Sequence, residues 1–295
     1  MMAFIIDGKI ISAEIKEELK VKTQKLIEEK GIHPGLAVLL VGEDPASQSY
    51  VNSKEKSCQE LGFKSVVLRK SADISEEEVL KVVNEWNNDI TIHGILVQLP
   101  LPKHINESKV IMTISPMKDV DGFHPESFGR LVIGLPGFVP CTPAGIMEML
   151  KRSNIKVKGK HVVVVGRSNI VGKPIANLLY QKNPDANAVV TICHTGADDI
   201  MKYVRQADVL VAAVGVPELI KAEDVKEGVV VIDVGINRVE DASKPKGYRL
   251  TGDVDFNSVK EKASAITPVP GGVGLMTVAM LMKNTYLSAS GELFG

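Results

Sequence analysis

Four side chains in the first half of the sequence have types that can move a proton or hold a polar ligand. They are Tyr50 and Lys54 in S-Y-V-x-x-K (49–54), Gln98 in V-Q-L-P-L-P (97–102) and Asp121 in K-D-V-D-G-F (118–123). Residues four apart share a helix face, so the Tyr50 ring and the Lys54 amine point the same way if 46–61 is helical. A lysine works as a base near neutral pH only where burial or a neighbouring cation lowers its pKa. An amide such as Gln98 can orient it, and an ionised Asp121 only accepts hydrogen bonds. Taken singly, each residue has a plain alternative. A Tyr/Lys pair at this spacing is most often a solvated helix face, Gln98 can satisfy a backbone group at a strand end, and Asp121 before Gly122 is a typical turn residue.

The second half carries a different constellation. HVVVVGRSNIVGKP (161–174) reads as a buried strand, a turn and a helix opened by Pro174. Gly166 turns the chain off the strand, and Gly172 lets backbone approach a ligand at the positive helix N-terminus, a place for a pyrophosphate. The spacing is not G-x-G-x-x-G, and Pro174 after Lys173 excludes a Walker A loop. A plain strand–helix turn is an equal reading of this loop alone. The following strand ends in His194 and Thr195, without the carboxylate that takes the ribose 2′-hydroxyl of NAD. Arg167 and Thr195 suit a 2′-phosphate instead, which favours NADP. His194 reads equally as an adenosine neighbour or as a strand end without a role.

These residues need elements to hold them. Apolar runs at 36–41, 65–69, 94–98, 161–165, 189–193, 209–214 and 229–233 alternate with helical segments, the pattern of an α/β fold with one or two parallel sheets. Ser75 with Glu78 forms a capping box before the stripe Val79, Val82, Val83 and Trp86. Ser12 is the expected cap of a helix through Glu29. The Pro- and Gly-rich stretch 134–145 marks the domain boundary. The 295 residues suit two lobes of roughly 150 each. With 35 Lys+Arg against 36 Asp+Glu, no global attraction to nucleic acid or an anionic membrane is expected. Three scattered cysteines and six histidines without ligand spacing give no disulfide framework and no metal site. No run reaches the ~18 apolar residues of a membrane span, so the chain is expected to be cytoplasmic.

Eight motifs in order carry a family resemblance. To the three above the second half adds P-x-T-P-x-G (140–145), V-G-R-S-x-x-V-G-x-P (165–174), D-V-G-I-N (233–237), G-D-V-D (252–255) and T-P-V-P-G-G-V-G (267–274). Over nearly its whole length the chain resembles the bifunctional methylenetetrahydrofolate dehydrogenase/methenyltetrahydrofolate cyclohydrolase family. The resemblance implies a two-lobed α/β protein. Residues 1–145, completed by a C-terminal helix over 273–295, would form a folate-binding catalytic domain, and 146–272 a Rossmann-like NADP domain, with the active site in the cleft.

The implied chemistry is oxidation of 5,10-methylenetetrahydrofolate with NADP, then hydrolysis of the methenyl product to 10-formyltetrahydrofolate. Lys54 matches the catalytic lysine, Gln98 its partner, Tyr50 the ring that stacks on folate, and Asp121 the acceptor for pterin nitrogens. Val97, Leu99, Pro270, Gly271 and Gly272 fall at the folate, and Gly166, Arg167, Ser168, Val171, Gly172, His194, Thr195, Gly215 and Ile236 at the cofactor. The family also implies a homodimer through the dinucleotide lobe. One departure stands out: Leu275 occupies a position where the family normally has proline.

Overall fold

GLAVLLV (Gly35–Val41) is buried along its whole length, as an apolar strand covered on both faces must be. In the computed structural model, which describes residues 3–244 and 247–294, it is the middle strand of a three-stranded parallel sheet. Lys64–Lys70 and Gly94–Val97 flank it, Leu36 pairing with Ser65 on one side and Gly94 on the other. The connecting helices follow local signals. Pro45–Leu61 opens on Asp44, whose carboxylate accepts from Ser47 N at 2.7 Å, and closes on the left-handed Gly62. Glu76–Asn88 carries the complete Ser75/Glu78 box and buries Val79, Val83 and Trp86 against the sheet.

Ser12 is not a cap. The first helix runs Gly8–Lys30, and Asp7 Oδ1 accepts from Lys9 N at 2.7 Å and Ile10 N at 3.2 Å. A carboxylate one turn earlier is the better partner for those N–H groups, and the Ser12 hydroxyl donates back to Lys9 O at 3.1 Å.

The second sheet has six parallel strands in the order Phe4–Ile5, Ala265–Ile266, Val230–Asp233, Val209–Ala212, His161–Val165, Val189–Cys193. From His161–Val165 the chain steps outward to Val189–Cys193, then returns past the start to Val209–Ala212 on the other side. That reversal is a topological switch point, where open α/β sheets bind ligands at the strands' carboxyl ends. Val163, Val165, Leu210, Val231 and Ile266 share its core. A small antiparallel pair, Asn237–Glu240 with Tyr248–Thr251, follows the third of these strands in sequence.

The structure divides into two compact units, one of 13–141 with 278–295 and one of 1–12 with 142–277. The sequence places residues 1–12 with the first lobe; pairing puts them with the second. Phe4 and Ile5 pair with Ala265 and Ile266, and Gly8 N donates to Gly271 O at 2.9 Å. The unit boundary at 141/142 falls inside the stretch 134–145 that marks it in the sequence, whose last residues already begin the helix Cys141–Arg152. Among the described residues, no helix is long and apolar enough to cross a membrane.

Candidate active site

In the first unit, the helix Pro45–Leu61 turns Lys54 inward beside Val51 and Cys58, leaving 8% of the lysine exposed. Its Nζ donates to Gln98 Oε1 at 2.8 Å. Gln98 follows directly on Val97, the buried last residue of its strand, and is pinned twice. Its backbone N donates to Leu39 O at 2.9 Å and its Nε2 to Leu99 O at 2.8 Å, so the side-chain oxygen is fixed toward the amine. The Leu99–Pro100 bond that follows is cis. Burial holds the Lys54 pKa below the ordinary lysine range, opposed by the negative charge of Asp121 and of Cys141 if ionised. Tyr50, one turn earlier, remains 44% exposed, a ring open to a ligand.

Asp121 is half-buried, and burial raises its pKa while the Lys54 cation works to lower it. The loop that presents it is built by a residue the sequence reading passed over. Asp119, fully enclosed, accepts from Phe123 N at 3.1 Å, His124 N at 2.9 Å and Ser127 Oγ at 2.6 Å, and burial pushes its pKa up to about 6. Cys141 joins the cluster as well. Its thiol donates to Val120 O at 3.4 Å, and burial followed by the Asp121 charge raises its pKa well above normal, so it stays protonated. Asn284 on the final helix donates to Val120 O at 2.8 Å and Val139 O at 3.1 Å, tying together the segments that carry Asp121 and Cys141. The only signal for Asp119 and Cys141 was their place inside quoted motifs; Asn284 had none.

The second unit assembles the dinucleotide-type loop. Gly166 has φ 130°, and a Cβ there would overlap Ala213 O, so the turn requires glycine. Ser168 Oγ accepts from Val171 N at 3.1 Å and Gly172 N at 3.3 Å, folding the loop onto the helix Gly172–Tyr180, in which Pro174 is the third residue and not the opening one. Arg167 is exposed and has no hydrogen-bond or ion-pair partner among the described residues. At the end of the next strand His194 Nδ1 accepts from Gly196 N at 3.0 Å, making a turn that leaves Thr195 exposed. Gly215 N donates to Asp253 Oδ2 at 2.9 Å, and Ile236 is exposed after the strand Val230–Asp233. A free guanidinium, an exposed hydroxyl and a turn too tight for a side chain suit NADP.

Pro270, Gly271 and Gly272 also lie in this unit, after the cis bond Val269–Pro270 and before the helix Val273–Ser290. Leu275 N donates to Gly272 O at 3.3 Å. Proline in its place would lack that donor, so the departure from the family pattern adds one backbone bond to the start of the last helix.

Comparison with known proteins agrees with both halves of this description. Residues 6–121 match the tetrahydrofolate dehydrogenase/cyclohydrolase catalytic domain, and residues 140–293 the NAD(P)-binding domain of the same family. The chain is 57% identical over 286 residues to the bifunctional protein FolD of Chlorobium chlorochromatii, covering 96% of this chain and 97% of that one. The crystal structure of the bifunctional enzyme FolD, methylenetetrahydrofolate dehydrogenase/cyclohydrolase, from Campylobacter jejuni is 50% identical. It superposes with a TM-score of 0.92 over 99% of this chain and all of that one. The Trypanosoma brucei methylenetetrahydrofolate dehydrogenase-cyclohydrolase, solved with NADP cofactor and inhibitor, is 39% identical with a TM-score of 0.93 over the full length of both. With both domains matched in order and more than half the residues shared with a full-length relative, the chain belongs to the tetrahydrofolate dehydrogenase/cyclohydrolase family.

Proposed function

We propose that this chain oxidises 5,10-methylenetetrahydrofolate with NADP to the 5,10-methenyl cation and hydrolyses that cation to 10-formyltetrahydrofolate, with Lys54 as the acid–base group of the second step. The observation that carries the reading is the enclosed Lys54 amine, held at 2.8 Å by an immobilised Gln98 in the same cluster as Asp121. NADP supplies the hydride acceptor. The donor carbon lies between two nitrogens whose lone pairs stabilise the cation, so the first step asks the protein mainly for alignment.

The second step needs a proton carrier. Water adds to the methenyl carbon and one of its protons passes to the neutral Lys54 amine; that proton is returned to ring nitrogen, the bridging C–N bond breaks, and the remaining hydroxyl proton leaves to solvent as the formyl C=O forms. A depressed lysine pKa serves this exchange, and Gln98 keeps the amine in place. Tyr50 stacks on the folate, Asp121 accepts from pterin N–H groups, and Val97, Leu99, Pro270, Gly271 and Gly272 line the substrate. Gly166, Ser168, Val171 and Gly172 receive the pyrophosphate, Arg167 and Thr195 the 2′-phosphate, and His194, Gly215 and Ile236 flank the cofactor.

The test is a steady-state assay with both folates and both nicotinamide cofactors, following NADPH continuously and methenyl-folate after acid stopping. NADP is expected to give the higher catalytic efficiency. Replacing Arg167 with glutamine should raise the KM for NADP by about 10- to 100-fold, the worth of a hydrogen bond to a charged group, and leave the KM for NAD unchanged. NAD used as well as NADP by the wild-type chain would overturn the cofactor assignment. Binding of both ligands without either signal would make the chain a binding protein.

The homodimer belongs to the same proposal. Val189–Cys193 is an edge strand of the six-stranded sheet and exposes Val189 by 64% and Ile192 by 43%. An apolar edge with unpaired backbone groups accepts a second copy about a two-fold axis. Sedimentation should show a dimer for the wild type and a monomer for Ile192→Lys; a monomeric wild type rejects the assembly. The cytoplasmic setting is supported by three unpaired, buried cysteines, which a reducing compartment preserves.

A further inference from the structure

A second pair of buried acids lies outside the Lys54 cluster, in the six-stranded unit. Asp253 is fully enclosed. Its Oδ2 accepts from Val214 N at 2.7 Å and Gly215 N at 2.9 Å, and its Oδ1 from Asn237 Nδ2 at 2.9 Å. Asp233, also buried, accepts at Oδ1 from Asp253 N at 2.9 Å and Gly235 N at 3.0 Å, and at Oδ2 from Val254 N at 3.0 Å. Every partner of the two carboxylates is an N–H donor, and neither forms an ion pair among the described residues. Two enclosed acids without a cation are costly to keep, and only a full set of donors makes them tolerable.

The donors to Asp253, and the Gly235 donor to Asp233, come from the segments that follow two neighbouring strands. Val214 and Gly215 follow Val209–Ala212, and Gly235 and Asn237 follow Val230–Asp233. Asp233 fixes the backbone at 253–254, and that backbone aims the Asp253 carboxylate at both loops. Glu218 reinforces the first loop, its N donating to Gly252 O at 3.0 Å and its carboxylate pairing with Arg249 at 2.9 Å. In the proposed function the phosphates sit after His161–Val165 and the 2′-phosphate toward Val189–Cys193. The loops on the other side of the switch point are then left for the nicotinamide half.

We propose that Asp253, held by Asp233, is a positioning residue of the dehydrogenase step that locks the 213–217 and 234–237 loops into the form receiving the nicotinamide end of NADP. The inference rests on the functional reading above. It separates the two activities, because the Lys54 cluster lies in the other unit and shares no residue with this clamp.

Asp253→Ala and Asp253→Asn in the full chain test it. Asparagine keeps one oxygen for Val214 and Gly215 while its amide faces Asn237, whose own amide can turn to present oxygen. Alanine removes every bond. With alanine, NADPH affinity, read from reduced-nicotinamide fluorescence, and dehydrogenase kcat should each fall by about tenfold or more, the scale of a misplaced reacting group. Cyclohydrolase on methenyl-folate should stay at the wild-type rate, and asparagine should recover most of the loss. Asn237→Ala, at the partly exposed start of the strand Asn237–Glu240, probes the same link if Asp253→Ala does not fold, and should weaken NADPH binding several-fold.

Unchanged NADPH affinity in Asp253→Ala, or parallel loss of both activities with asparagine no better than alanine, would overturn the positioning role. A wild-type chain that binds NADPH but turns over neither folate defeats the functional reading instead. The NADPH affinities of the variants then still decide whether Asp253 sets these loops.

Discussion

Replacing Lys54 with methionine is expected to lower the cyclohydrolase rate by about 10²- to 10⁴-fold, the usual worth of a positioned acid–base group. Methionine keeps the unbranched stem against Val51 and Cys58 and deletes only the amine, so the helix Pro45–Leu61 should stand. Gln98 Oε1 loses its partner but remains anchored through Leu99 O, and the loop carrying Asp121 is held independently by Asp119. Dehydrogenase activity should therefore stay measurable. The pH profile adds a second check. Because burial depresses the Lys54 pKa, the neutral amine is present above that value and lost as pH falls through it. Wild-type cyclohydrolase should decline on the acid side of a pKa below the ordinary lysine range, and that limb should vanish in the variant. Decay of methenyl-folate absorbance measures both. Full cyclohydrolase activity in Lys54→Met would remove the lysine from the mechanism.

The largest expected loss of stability is at Gly252. A Cβ there would overlap the Asp233 carboxylate, which cannot retreat because Asp253 N, Val254 N and Gly235 N grip both its oxygens. That carboxyl is already under stress, since burial lifts its pKa to about 7 against the pull of those donors. Gly252→Ala should cost about 3 kcal/mol or more, by overpacking together with displaced buried hydrogen bonds. Calorimetry should show Tm lowered by roughly 6–12 °C. Gly129→Ala is the control. It sits within the helix Pro125–Ile133 with open space around its Cα, and should be neutral or raise stability by about 0.5–1 kcal/mol. Equal melting temperatures for Gly252→Ala and wild type would mean that the two buried acids yield more easily than their bonding implies.

Long uniform elements were legible in the sequence because their signals are local. HVVVV and VVTIC fall at the residues expected, and so do the Ser75 box and the last helix from Val273. The strands Phe4–Ile5 and Ala265–Ile266 were not legible, since two residues carry no period and pair across most of the chain. The helices Glu107–Thr113, Pro125–Ile133 and Cys141–Arg152 went unread; the last starts among prolines that look like a breaker. The site divides in the same way. Lys54 and Gln98 stood out through motif and type, and their bond follows from a helix and a strand end that sequence could place. Asp119 folds its own loop through Phe123 N and His124 N, whereas Cys141, Asn284 and the Asp233–Asp253 pair work by holding backbone from other segments. Such a role has no spacing to read.

The strand Phe4–Ile5, on the sheet beside Ala265–Ile266, bears on how the protein is made. A ribosome releases residues in order, and domains fold as their parts emerge. The six-stranded unit contains 1–12 yet waits for 142–277, and the three-stranded unit of 13–141 waits for 278–295. Neither is finished when its first strands leave the exit tunnel. Through most of translation the nascent chain therefore holds an uncovered sheet edge or an unfilled helix seat. Folding is set to close late, and this enzyme should gain more than a contiguous two-domain chain from a chaperone that shields the early half.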